Sequence, residues 1–197
     1  MKRFEAIKTV AGAVKDEIVV SNIGDPSKEL FAAGDRKENF YMLGSMGMAS
    51  SIGLGMALAN KRDVIVLDGD GAVTMNLGTL VTIAKEAPDN LKLVILDNGA
   101  YGSTGYQRTA LSSTTGASIG AIASACGNER VKTVSDAASL EAELKSAITS
   151  GKGVIIVAKV DTAHEKFPFI RDKGAAIKER FMASVSNTTR GLYGKKS

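Results

Sequence analysis

Six times along the chain a short, mostly apolar run ends in glycine, asparagine, aspartate or another turn-forming residue, and helical spacing follows or precedes it. The runs are Ile18-Val19-Val20, Phe40-Tyr41-Met42, Val64 to Leu67, Leu91 to Leu96, Val131 to Val134 and Val154 to Val160. Between them, apolar residues recur at helical spacing in Phe4, Ile7, Val10, Ala11 and Val14, and again near 47–59, 76–86, 117–125, 136–149 and 173–185, with one more helix starting near Pro26 or Ser27. Strands that are apolar on both faces and alternate with helices must be covered on both sides. The expected fold is therefore α/β: an open, mostly parallel six-stranded sheet with helices on both faces. Sheets of this kind bind their ligands outside the carboxyl ends of the strands.

A chain of 197 residues is long enough for one sizeable core and short for two. One domain over 1–187 is expected, with 188–197 as a flexible tail carrying Arg190, Lys195 and Lys196. The net charge of +4 is modest, and the lysines and arginines are not clustered with aromatics, so a nucleic-acid surface is not indicated. The single cysteine, Cys126, excludes an internal disulfide or a CxxC site and reads as apolar filler. Residues 40–59 carry no charge over twenty positions, nominally enough to cross a bilayer. Gly44, Gly47, Gly53 and Gly55 fit a loop and a closely packed helix instead. Met1-Lys2-Arg3 opens an amphipathic pattern rather than an apolar signal core, so a cytoplasmic location is expected.

The chemistry concentrates in Val64 to Leu80, where a greasy strand runs into Gly69-Asp70-Gly71 and then into a helix. Backbone N–H groups at such a junction face an anion, and glycines let it approach the main chain. A dinucleotide fingerprint would need glycine or alanine at position 74, which is Thr74, and the Walker pattern is absent. A carboxylate beside a phosphate calls for a cation between them. Residues 72–97 follow, and then Asn98 closes a second buried strand and opens Asn98-Gly99-Ala100-Tyr101-Gly102. Two strand ends thus each offer one hard oxygen of the kind Mg²⁺ prefers.

The pair, GDG and then N after twenty-odd residues, resembles the signature of the thiamine diphosphate enzymes, in the domain that grips the diphosphate. The resemblance implies Asp70 and Asn98 as side-chain ligands of Mg²⁺, the Ala100 carbonyl as a third ligand, and Gly71 and Ala72 as backbone donors to the diphosphate. Gly24, Gly69, Tyr101 and Gly102 would complete the cofactor site. Where the family often has two asparagines this chain has Asp97-Asn98. Leu43-Gly44-Ser45-Met46-Gly47 resembles the turn that props the cofactor in a bent shape. It implies that the Gly44 carbonyl accepts a hydrogen bond from the aminopyrimidine, with Ser45 beside it and Met46 between the two rings. Read alone, Met46 is a core methionine flanked by turn glycines.

The acid that works at the far side of the pyrimidine is, in this family, a glutamate from a different domain. The chain has room for one domain only, so a partner α subunit carrying the pyrimidine-binding domain and its glutamate is expected, with residues 44–55 near the interface and self-association besides. The stretches Ser21 to Leu30, Gly44 to Gly47, Asn98 to Gly105 and Ile177 to Phe181 resemble the decarboxylases of sulfopyruvate and, next to them, of phosphonopyruvate. The implied reaction turns sulfopyruvate into sulfoacetaldehyde and CO₂, a step towards coenzyme M. For the anionic substrate, Ser103, Thr104 and Arg108 follow the metal loop, together with Tyr101 and Gln107, although Arg108 also reads as a surface arginine. His164, the only histidine, could move protons. Two other readings stand: the β subunit of a 2-oxoacid oxidoreductase that passes electrons to clusters in other chains, and a regulatory nucleotide-binding α/β module.

Overall fold

Strands β3 (Val64–Gly69) and β4 (Leu91–Asp97) pair in parallel at the middle of the sheet, and every residue of both except Gly69 is buried. The structure is a computed structural model that describes residues 1–112, 117–162 and 165–186. Around this pair lie β1 (Ile18–Ser21), β2 (Asn39–Tyr41), β7 (Val131–Val134) and β8 (Val154–Lys159), in the order β2-β1-β3-β4-β8-β7. All five pairings are parallel, as runs apolar on both faces require. Side chains alternate across the sheet, so Val64 and Val66 enter one apolar cluster while Ile65 and Leu67 enter the other.

The helices divide between these faces. Helices α1 (Arg3–Ala13), α2 (Asp25–Ala33) and α7 (Ala137–Ser150) cover the face of Ile65. The opposite face is covered by α3 (Ala49–Ala59), α5 (Gly78–Glu86), α6 (Ile119–Ala125) and the short α4 (Asp70–Thr74), joined by the end of α8 (Gly174–Val185). Residues 40–59, uncharged throughout, split into the last two residues of β2, a turn and the eleven-residue α3. No helix among the described residues is long and apolar enough to cross a membrane.

Helix α3 lies close on the sheet because Gly53 faces it. A Cβ at Gly53 would sit 2.1 Å from Val66 Cγ2 and 3.8 Å from Leu91 Cδ1. Gly53→Ala therefore forces the helix off β3, at an overpacking cost of about 1–3 kcal/mol that the helix propensity of alanine only partly offsets. Thermal unfolding should show a Tm lower by about 5 °C, since a domain of this size loses roughly 2–4 °C per kcal/mol. Val66→Ala in the same chain should recover part of the loss.

Edge strand β2 is closed by α8. Phe181 packs against Phe40 with ring centroids 5.1 Å apart, and Arg180 grips the Asp35 carboxylate through two hydrogen bonds of 2.7 and 2.9 Å. Tyr41 donates its hydroxyl to Asp35 at 2.8 Å and accepts from Asn39 Nδ2 at 3.0 Å. Burial, with the Asp35 carboxylate adding to it, pushes the Tyr41 hydroxyl well above the usual tyrosine range.

Two elements depart from the sequence reading. The helix expected over 76–86 is α5, and before it stands a separate short helix, α4, that begins directly at the strand end with Asp70. Tight turns, Met75 N–H to Ala72 O at 3.1 Å and Asn76 N–H to Val73 O at 3.0 Å, close α4 before α5 begins. After β4 the chain forms a small antiparallel hairpin, β5 (Ala100–Tyr101) with β6 (Gln107–Arg108), too short for any periodicity to announce. Cys126, expected as filler, is only half-buried against the core at the end of α6.

Candidate functional site

In the strand order, β1 leads to β2 on one side and to β3 on the other, which makes the carboxyl ends of β1 and β3 the switch point of the sheet. The loops after β1, β2, β3 and β4 meet there. A Cβ on Gly69 would lie 3.7 Å from Asn22 Nδ2, and one on Gly24 would lie 2.7 Å from Ser103 Oγ. Gly24 has φ +79°, a conformation glycine adopts without strain.

Asp70, the first residue of α4, is almost wholly buried at 1% exposure. Its Oδ2 accepts the Thr109 hydroxyl at 2.7 Å, and the backbone N–H groups of Gly71 and Asn98 also face the carboxylate. Burial drives the carboxyl above the ordinary carboxylate range. The Thr109 hydroxyl opposes that shift and the nearby Asp97 charge adds to it. No lysine or arginine among the described residues pairs with Asp70. The result is a negative charge without a protein cation, set at the end of a central strand.

Asn98 ends the neighbouring strand, one residue past Asp97, and its Oδ1 accepts the Ala100 N–H at 3.1 Å in an Asx turn around Gly99, whose φ is +64°. Thr109 N–H donates to Gly99 O at 2.9 Å, and Ala100 faces Arg108 as the next pair of the hairpin. Antiparallel ladders alternate between bonded and non-bonded pairs, so the Ala100 carbonyl is turned out of the ladder. Three oxygens are thus presented from two adjacent strand ends: the Asp70 carboxylate, the Asn98 amide and the Ala100 carbonyl.

The hairpin packs closely on α4 and on the start of α2. A Cβ on Gly71 would lie 2.5 Å from Tyr101 Cε1 and 3.1 Å from Thr109 Cγ2, so only glycine fits beneath the Tyr101 ring. A Cβ on Gly102 would lie 3.5 Å from Arg3 Nη1 and 3.8 Å from Asp25 Oδ2. Thr104 and Gln107 bond each other at the exposed tip, at 3.0 and 3.1 Å, and Arg108 is exposed on β6. The turn after β2 comes to the same end of the sheet. Leu43, Gly44 and Ser45 are exposed, Met46 is half-buried, and Ser45 and Gly47 have φ of +62° and +89°. The Gly47 carbonyl accepts from Asn76 Nδ2 at 3.1 Å, which ties this turn to the junction of α4 and α5.

The structure therefore gathers Gly24, Gly44, Ser45, Met46, Gly69, Asp70, Gly71, Ala72, Asn98, Ala100, Tyr101, Gly102 and Ser103 around one strand-end region. Thr104 and Arg108 stand at its outer margin. His164 lies outside the described residues, as does the expected tail. Thr109 escaped the sequence reading because a lone threonine in a loop carries no signal. Asp97, the residue before Asn98, is ion-paired with Lys159 at the end of β8. A cavity of about 260 Å³ lined by Pro88, Asn128, Arg130 and Gly153 lies at the opposite, amino-terminal ends of β4 and β8, away from this region.

Comparison with known proteins gives the same picture. The family described as "Thiamine pyrophosphate enzyme, C-terminal TPP binding domain" matches residues 12–158. The chain is 47% identical over 188 residues to "Sulfopyruvate decarboxylase subunit beta" of Methanocaldococcus jannaschii, covering 95% of this chain and 98% of that protein. It is 37% identical over 185 residues to "Phosphonopyruvate decarboxylase" of Streptomyces viridochromogenes, covering 93% of this chain and 46% of that longer one. Among solved structures, benzoylformate decarboxylase from Polynucleobacter necessarius superposes with a TM-score of 0.67 at 17% identity, over 85% of this chain and 34% of that one. At that identity the likeness is one of fold. Taken together, the matched profile and the sheet with its gathered strand-end loops place the chain in the thiamine pyrophosphate enzyme family, as the C-terminal cofactor-binding domain of that family.

Proposed function

We propose that the chain is the cofactor-binding subunit of a two-subunit thiamine diphosphate-dependent decarboxylase that converts sulfopyruvate to sulfoacetaldehyde and CO₂. The observation that carries the reading is the 47% identity to a sulfopyruvate decarboxylase β subunit across nearly the whole of both chains.

The residues at the strand ends suit the cofactor's metal. Asp70 is a buried carboxylate lacking a protein cation, and Asn98 and the outward Ala100 carbonyl add neutral hard oxygens, a donor set suited to Mg²⁺ with phosphate and water completing the octahedron. In this reading Asp70, Asn98 and Ala100 hold the ion, while Gly69, Gly71, Ala72 and Gly24 leave the main chain open to the diphosphate. Tyr101 and Gly102 close over it. Gly44, Ser45 and Met46 position the pyrimidine end, Met46 as the apolar prop. When bound, thiamine diphosphate supplies the carbanion and the electron sink that 2-oxoacid decarboxylation needs. This chain's share is to bind, orient and shield. Ser103, Thr104 and Arg108 line the side from which an anionic substrate would enter.

The acid for the pyrimidine ring comes from a partner α subunit. The carboxylates nearest the described site already have partners: Asp68 holds Ser50, Asp97 holds Lys159, and Asp25 and Glu29 hold Arg3. The exposed apolar side chains of Leu43 and Met75 beside the Gly44 turn give such a partner a surface to cover.

Calorimetric titration of the chain with thiamine diphosphate, with and without Mg²⁺ and with and without the purified partner subunit, tests the reading. Binding should require the metal and tighten with the partner, and CO₂ release from sulfopyruvate should appear only in the mixture. Full activity of the isolated chain would remove the partner from the scheme, and metal-independent binding would remove Mg²⁺. A second reading, a phosphonopyruvate decarboxylase subunit, is favoured by the 37% identity to that enzyme. The ratio of kcat/KM for sulfopyruvate and phosphonopyruvate decides between them.

A further inference from the structure

Two residues before Asp70, still within β3, stands a second carboxylate that none of the roles above employs. Asp68 is fully buried. Its Oδ2 accepts the Ser50 hydroxyl at 2.6 Å and the Ser50 N–H at 3.2 Å, and its Oδ1 accepts the Gly69 N–H at 2.9 Å. Burying a carboxylate is costly, and three hydrogen bonds only partly compensate, so its carboxyl lies above the ordinary range. Ordinary packing would be served better there by an aliphatic residue, like the four that precede it in β3.

What Asp68 touches explains its place. Ser50 is the second residue of α3, and α3 is entered directly from the Gly44 to Gly47 turn. That turn contains a left-handed Ser45 and is held by few bonds of its own: Met48 N–H to Ser45 O at 3.1 Å, and Asn76 Nδ2 to Gly47 O at 3.1 Å. Leu43, Gly44 and Ser45 are exposed. Ser51 ties the first turn of α3 sideways to the α4–α5 segment, through Thr79 at 2.6 Å and Asn76 Nδ2 at 3.0 Å, but the orphan N–H of Ser50 and the tie to the sheet itself need a further anchor. The Asp68 carboxylate supplies that anchor from a rigid central strand, and the same strand delivers Asp70 two residues later.

We propose that Asp68 is a positioning residue: through Ser50 it fixes the start of α3, and hence the Met46 turn, in register with Asp70, so that the two halves of the cofactor site keep a set separation. This rests on the functional reading above for the identity of the ligand, but not for the mechanical coupling.

The test compares Asp68→Asn and Ser50→Ala with wild type. Ser50→Ala removes only the 2.6 Å hydroxyl bond and leaves the carboxylate, so it serves if Asp68→Asn folds poorly. Hydrogen exchange in the isolated chain should show the amides of residues 48–52 opening at least tenfold faster, with β4 amides unchanged. In the complex with its partner, kcat should fall at least tenfold while the KM for the 2-oxoacid stays within threefold. Lys92→Met, which breaks a buried ion pair at the other end of the sheet, is the control for lost stability and should lower Tm without changing kcat. Unchanged exchange at 48–52 overturns the proposal, and so does faster exchange with an unaltered kcat, which would leave Asp68 a merely structural pin. If the wild-type complex decarboxylates none of the 2-oxoacids, the functional reading has failed. The coupling is then judged on exchange and on cofactor affinity, where a variant that binds like wild type overturns it.

Discussion

Asp70→Asn should weaken thiamine diphosphate binding in the presence of Mg²⁺ by at least a hundredfold, while the chain without cofactor melts no lower than wild type. The two halves of this expectation come from one fact. In the folded chain the Asp70 carboxylate is buried and meets only a hydroxyl and backbone N–H groups, so its charge is stabilised less than it would be in water. Asparagine has the same shape, can still accept from Thr109 and removes an uncompensated charge, so the empty fold loses nothing. A divalent ion, by contrast, loses its one anionic protein ligand among the three proposed. A hundredfold corresponds to about 2.8 kcal/mol. Titration calorimetry and thermal unfolding of the same preparations measure both. A clear fall in the Tm of the cofactor-free variant would mean that the carboxylate is part of the scaffold rather than part of the ligand site.

Arg3→Met should cost the fold about 3–5 kcal/mol, the usual consequence of deleting one member of a buried ion pair, and lower Tm by on the order of 10 °C. Arg3 reaches from α1 into the space beside α2, where its Nε and Nη2 donate to Glu29 at distances between 2.7 and 3.2 Å and Nη2 also reaches Asp25 at 3.2 Å. Asp25 keeps a second cation, Lys28, at 2.6 Å, but Glu29 is 1% exposed and would be left alone. Glu29→Met in the same chain should restore much of the loss, because an apolar pair of similar volume often replaces a buried ionic one without penalty. The loss should also be felt in the hairpin that carries Ala100, since Gly102 rests on Arg3 and Asp25. Unfolding of the single and double variants, read as a mutant cycle, measures the coupling directly. A double variant no more stable than Arg3→Met would show that the charge left behind is not the cause.

The central architecture was legible because its signal is repetitive. Six apolar runs separated by helical spacing leave few alternatives to a parallel sheet, and β3 and β4 lie where the runs lie, with ends extended by one or two residues. The strand-end region was legible for a different reason: Asp70 and Asn98 carry a paired spacing that has little meaning unless both follow buried strands. What stayed hidden depends on contacts between residues distant in sequence. Nothing local shows that Arg3 meets Glu29, that Thr109 meets Asp70, or that Lys159 neutralises Asp97. The bounds of α4 were not legible because five residues are too few for a helical period, and the turns at Met75 and Asn76 that separate it from α5 depend on backbone bonds rather than on apolar spacing. Asp68 did leave a trace. A carboxylate inside the otherwise apolar Val64 to Leu67 stretch and its continuation is an anomaly in a buried strand, and such anomalies have to be satisfied by something.

The two margins of the sheet bear on how this chain can associate. On one side β2 offers three residues and is roofed by α8 through the Arg180–Asp35 clasp. On the other, β7 offers four, with Lys132 and Thr133 exposed to water. Short, charged or roofed borders of this sort make poor templates for adding another strand. These borders therefore favour association through helix flanks and loop tips, and the same features that finish the native sheet disfavour growth into an extended cross-strand aggregate.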